Sequence, residues 1–168
     1  MRKRDNLVPQ ERFKFWDSLL DKSDKSTNLF HKITVVSKPN AIHTGIGKAG
    51  ISLGYIGRND KTWVQLTINI KGQAEETEKI YNELLSVSGS IDKKYPELKI
   101  VWKPSEKNPT NSRIVLSYSD KGGIGDNGKW EIIQDDLVER MNKFEQIFKN
   151  WIRDYMLGRN LRRSDLRI

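Results

Sequence analysis

Residues 51–71 read ISLGYIGRNDKTWVQLTINIK, and this stretch decides the fold class. Ile51, Leu53 and Tyr55 alternate with small residues on the first arm. On the second arm Val64, Leu66, Ile68 and Ile70 make one face, and Trp63, Gln65, Thr67 and Asn69 make the other. Side chains of a strand point alternately to its two faces, so period-two patterning marks strands. Two such arms around a Gly-Arg-Asn-Asp turn predict an antiparallel hairpin.

Other elements follow outward from the hairpin. PQERFKFWDSLLDK predicts a helix over about 9–22, with Pro9 suited to a first helical position and Phe13, Trp16 and Leu20 on one face. HKITVVSK is a β-branched run that predicts a strand over 32–37, and PNAIHTGIGKAG reads as a loop. QAEETEKIYNELLSVSGSIDKKY predicts a second helix that Gly89 ends early or bends. ELKIVWK predicts a strand with Leu98, Ile100 and Trp102 on one side, and RIVLSYS a strand with Ile114, Leu116 and Tyr118 facing the same way. From Trp130 to Tyr155, large apolar residues recur at spacings of three and four, which predicts an amphipathic helix of more than six turns. The expected architecture is α+β, in the order α-β-β-β-α-β-β-α, with one mostly antiparallel sheet and three helices. Residues 1–157 read as a single domain and 158–168 as a basic C-terminal tail.

Composition narrows the chemistry. The 168 residues contain no cysteine, which excludes disulfides, thiol catalysis and cysteine-based metal centres. The two histidines, His31 and His43, form no spaced pair, and no Gly-x-Ser-x-Gly is present. No apolar run reaches a membrane span, and the charged start is followed by no apolar segment, so a cytoplasmic location is expected. No cofactor is expected, and nothing amounts to catalytic machinery. The net charge is +8, most of it at the two ends: Arg2, Lys3 and Arg4 at one, Arg153, Arg159, Arg162, Arg163 and Arg167 at the other. Such an excess suits nucleic acid or acidic partners as well as solubility.

Several local patterns carry function hypotheses. Gly45 to Gly50, GIGKAG, spells GxGxxG, but it precedes a strand where a dinucleotide site needs a helix. The reading left to it is a tight turn, or an anion nest around Lys48. The loop GGIGDNGK lacks the Walker pattern. An α-β-β-β-α-β order is also that of the restriction-endonuclease core, whose Mg²⁺ is held by an Asp and a strand-borne Glu-x-Lys. The candidates for that chemistry are Asp92, Glu97 and Lys99. The Trp63–Gln65–Thr67–Asn69 face, with Arg58 and Lys61 beside it, has the composition to stack a base and contact phosphate. The competing reading is that a helix covers it and Trp63 is core. The long helix's aromatic stripe reads as core, and its far end, running from Trp151 into Arg159, Arg162 and Arg163, as a docking point for a partner or a second copy.

Three segments, RFKFWDSLL, TGIGKAGISLGYIG with the strand after it, and WEIIQDDLVERMNKFEQIF, resemble a prokaryotic family known only as a domain of unknown function. The resemblance spans roughly residues 11–150. Members of that family stand alone or follow a restriction-type nuclease domain. The resemblance therefore implies an accessory role in DNA handling, restriction or defence, with DNA, a nuclease or another defence protein as partner, and it carries over no catalytic residue. The expectation is a non-catalytic DNA-associated module using Lys48, Arg58, Lys61, Trp63, Arg159, Arg162 and Arg163. The alternatives are a divergent Mg²⁺ nuclease using Asp92 and Glu97, and an interaction or oligomerisation module using the long helix.

Overall fold

The structure, a computed structural model, describes residues 9–35, 40–103 and 112–158. Helix α1 spans Pro9–Asp24. Strands β1 (Ala41–Gly45), β2 (Ile51–Gly57) and β3 (Thr62–Ile68) form a meander, as short turns between alternating runs require. Helices α2 (Ala74–Ser86) and α3 (Ser88–Lys94) follow, then strands β4 (Val101–Lys103) and β5 (Arg113–Tyr118). The chain ends in a helical rod: α4 (Trp130–Phe144), a π-turn (Glu145–Lys149) and α5 (Asn150–Met156). The fold is α+β. One open antiparallel sheet has the order β1-β2-β3-β5-β4, so the hairpin lies inside it and β5 inserts between β3 and β4.

The helices pack on one face. Leu53, Tyr55, Val64, Leu66 and Val115 meet Phe15, Trp16, Leu84, Leu137, Met141 and Phe148 there in a continuous core. Each such side chain contributes roughly 1.5–3 kcal/mol on burial. The aromatic stripe of the long rod is core: Ile133, Leu137, Met141, Phe144, Phe148 and Trp151 are all buried. Arg140 of α4 reaches the sheet through the core's edge. It pairs with Asp136 at 2.8 Å and donates to the buried Ser117 hydroxyl of β5 at 2.8 Å, so the charge is matched and hydrogen-bonded.

Five local expectations need correction. The strand expected over 32–37 does not form at its described residues: Lys32 closes a turn, Ile33 to Val35 are irregular, and 36–39 lie outside the described residues. Phe30, buried against Tyr55 at 4.9 Å, anchors that turn, and the Ile33 amide donates back to the Phe30 carbonyl at 2.9 Å. The β-branched residues Ile33 and Val35 report packing against the core, not ladder pairing. The first strand lies in the supposed loop, where Ile42 pairs with Tyr55 and Thr44 with Leu53.

The second helix breaks at Val87, two residues before Gly89. Ser86 and Ser88 donate to the carbonyls of Glu83 and Leu85, a side-chain competition that favours a break there. Glu97 and Lys99 are not strand-borne. Pro96 opens a 3₁₀ turn to Leu98, Lys99 is left-handed at φ 45°, and β4 begins only at Val101. The long helix is not regular throughout: it contains a π-turn at Glu145–Lys149, which carries the buried Ile147 and Phe148.

Candidate nucleic-acid interface

The sheet has a second face, and its residues follow from the register. One row crosses it from Ala41 to Ile56, Trp63 and Tyr118. The next runs His43, Gly54, Gln65, Leu116 and Val101, and the third runs Gly45, Ser52, Thr67, Ile114 and Lys103. Ile56, Trp63 and Leu116 form a small apolar cluster here with Ala41, Val101 and Ile114 against it. No helix residue belongs to that cluster. The reading in which a helix covers Trp63 is therefore corrected among the described residues: Trp63 is buried, but by its strand neighbours and two cations.

Those cations come from the β2–β3 turn. The Arg58 guanidinium sits 5.6 Å from the Trp63 ring centre, and the Lys61 ammonium 5.7 Å from it. Lys61 also lies 5.7 Å from the Tyr118 ring, which is 5.5 Å from Trp63. Each cation–ring contact is worth about 0.5–1 kcal/mol at an exposed site. Among the described residues neither Arg58 nor Lys61 forms an ion pair with a carboxylate. Trp63 is only 8% exposed and forms the floor, whereas Tyr118 is 36% exposed. The difference has a topological cause. β4 pairs with β5 only from Leu116 inward, so no strand flanks Tyr118 on its outer side.

The turn is held from two sides. Arg12 of α1 donates to Asn59 Oδ1 at 2.8 Å, to Asn40 Oδ1 at 3.2 Å and to the Gly57 carbonyl at 3.4 Å. The second glycine loop lies against the turn's backbone. The Ile124 and Gly125 amides donate to the Arg58 and Asn59 carbonyls at 2.9 Å each. A Cβ on Gly123 would stand 2.3 Å from the Asn59 carbonyl oxygen, so that glycine is required by close backbone approach. This loop is a clamp for the hairpin tip.

A directed polar chain runs along β3. An indole N–H only donates, so Trp63 Nε1 at 3.0 Å fixes Gln65 Oε1 as acceptor. Gln65 Nε2 then donates to Thr67 Oγ1 at 3.0 Å. Among the described residues the Thr67 hydroxyl proton has no acceptor. With Lys61 and Arg58, the face thus offers donors and positive charge, the complement of phosphate oxygens and base carbonyls. His43 lies over Gly54, where a Cβ would meet its ring at 2.3 Å, and desolvation of the ring lowers its pKa below the ordinary 6.5.

Of the residues singled out in the sequence, Arg58, Lys61 and Trp63 come together. Lys48 does not join them. It lies in the β1–β2 turn, at the opposite end of the strands, and pairs with Glu76 at 3.0 Å. The GxGxxG segment is that turn, with Gly50 at φ 86° pressed on Asn69, and no helix follows it. Arg159, Arg162 and Arg163 lie outside the described residues. Asp92 accepts from the Trp102 indole at 3.3 Å, and Glu97 pairs with Lys143 at 2.9 Å, which lowers the carboxyl's pKa. Among the described residues no group of three or more carboxylates or histidines is placed to hold a metal ion, and no helix is long and apolar enough to cross a membrane. Tyr118, His43 and Arg12 were not singled out. The sequence signal for Tyr118 was its shared face with Ile114 and Leu116, but its place beside Trp63 depends on β5 inserting next to β3.

A family model described as a domain of unknown function, DUF4268, matches residues 11–152, and the chain belongs to that family. No curated protein and no solved structure matches the chain.

Proposed function

We propose that this DUF4268 chain is a non-catalytic DNA-associated module whose contact surface is the sheet face opposite the helices. The observation that carries the reading is the pair of cations, Arg58 and Lys61, held over Trp63 and Tyr118 without a carboxylate partner among the described residues. Cations carried on a turn whose backbone is held by the glycine loop, and already placed against aromatic rings, lose less side-chain freedom on meeting phosphate than free ones would. The basic ends at Arg2–Arg4 and Arg159–Arg163 add sequence-independent attraction. Asp92 and Glu97 are engaged by Trp102 and Lys143, so no observation favours the nuclease alternative.

Binding of this kind is weak, tolerant of sequence and steeply salt-dependent. The test is fluorescence anisotropy with a labelled duplex and a labelled single strand of random sequence, from about 50 to about 200 mM salt. Binding that fades over that range, and that weakens in Arg58→Ala and Lys61→Ala, supports the reading. Equal affinity at both ends of the series, or no binding at the lower end, contradicts it.

A further inference from the structure

We infer that the ligand of this face is single-stranded nucleic acid, with an unpaired base stacking on Tyr118 and the flanking phosphates against Lys61 and Arg58. The inference rests on the nucleic-acid reading above and narrows its substrate class.

Three observations carry it. First, the ring that solvent reaches is Tyr118, at the margin of the sheet with β4 stopping one row short of it. A base can lie on that ring only if its own face is free, and in a duplex base faces are covered by their neighbours. Second, the hairpin is no groove-entering ribbon. A two-stranded ribbon reads the major groove by projecting into it. Here the tip's backbone is bonded to the Ile124–Gly125 segment and its Asn59 side chain to Arg12 of α1, so the tip is tied back to the body of the fold and does not project as a free ribbon. Third, the Trp63–Gln65–Thr67 chain ends at a part-exposed hydroxyl on the same face whose proton has no acceptor among the described residues, a donor suited to the carbonyl and ring-nitrogen acceptors that an unpaired base exposes. Lys61 lies equally close to the Trp63 and Tyr118 rings, so one cation serves both the floor and the stacking position.

The experiment compares a thymine-rich DNA strand, the matching uracil-rich RNA strand and a DNA duplex of equal length, on the full chain at one low salt concentration. Both strands, or one of them, should bind more tightly than the duplex, and the tighter of the two names the natural strand. Tyr118→Ala should weaken strand binding by at least about fivefold and duplex binding less, and it should lower the melting temperature slightly through the lost ring contacts with Trp63 and Lys61. Tyr118→Phe should keep the affinity, because stacking needs the ring and not the hydroxyl. A duplex bound as tightly as the strands, or a Tyr118→Ala loss equal on all three probes, overturns the single-strand inference and leaves the broader reading standing. Failure of all three probes to bind removes both.

Discussion

Arg12 donates to Asn59 Oδ1 at 2.8 Å, across 47 residues of sequence, and this contact ties helix α1 to the hairpin tip that carries Arg58 and Lys61. The same guanidinium also reaches Asn40 and Gly57. A planar, multiply donating group spans three acceptors that an ammonium cannot. Arg12→Ala should therefore lower stability by about 1–2 kcal/mol, and Arg12→Lys should recover only part of it. Thermal unfolding followed by circular dichroism checks this, and an unchanged midpoint for Arg12→Ala would contradict it.

Gly123 and Gly128 belong to one glycine-rich segment but have opposite surroundings. A methyl group on Gly123 would collide with the backbone of Asn59 and Lys61, at 2.3 and 2.4 Å, and neither can swing away. A methyl group on Gly128 would meet nothing within 4 Å. Gly123→Ala should cost more than about 2 kcal/mol, and Gly128→Ala should be neutral or stabilise by up to about 1 kcal/mol. Urea unfolding of the two variants side by side decides it. Equal effects would mean that the loop does not clamp the tip.

His43 supplies a partial pH dependence: the residue as a whole is exposed, but its ring packs over Gly54 and is desolvated on that side. Its pKa is lowered in the fold by desolvation, so the unfolded chain takes up its proton at a higher pH than the folded one. Its contribution to stability is then fully present above the unfolded value, near 6.5, and declines as pH falls through that value toward the folded one. Stability measured by urea unfolding between about pH 5 and about pH 7.5 should fall less steeply toward acid in His43→Gln than in the parent. Identical slopes would show that the ring is not desolvated.

The fold class and most of the architecture were legible because period-two and period-3.6 patterns are local. The hairpin, the terminal helix and the two faces of β3 all followed from spacing alone. Three features were not legible, for different reasons. The Thr-Val-Val run has strand composition, but Phe30 anchors the segment before it as a turn. The π-turn leaves the three–four spacing intact, so Phe148 and Trp151 look regular in sequence. Tyr118's partnership with Trp63 depends on strand order, which no local pattern encodes. At the site, the clustering of Arg58, Lys61 and Trp63 was readable because all three belong to one hairpin. The separation of Lys48 from them was not, because its Glu76 partner comes from a helix after the hairpin.

The central claim is that Arg58 and Lys61 neutralise phosphates, and the slope of affinity against salt measures this most directly. Binding of a labelled single strand should be followed across a salt series for the parent and for the double variant Arg58→Ala/Lys61→Ala. Each phosphate contact contributes about 0.7 to the slope of log affinity against log salt on a single strand, so the variant's slope should be shallower by about 1.4. An unchanged slope, with binding retained, would assign the contact to some other surface and contradict the account.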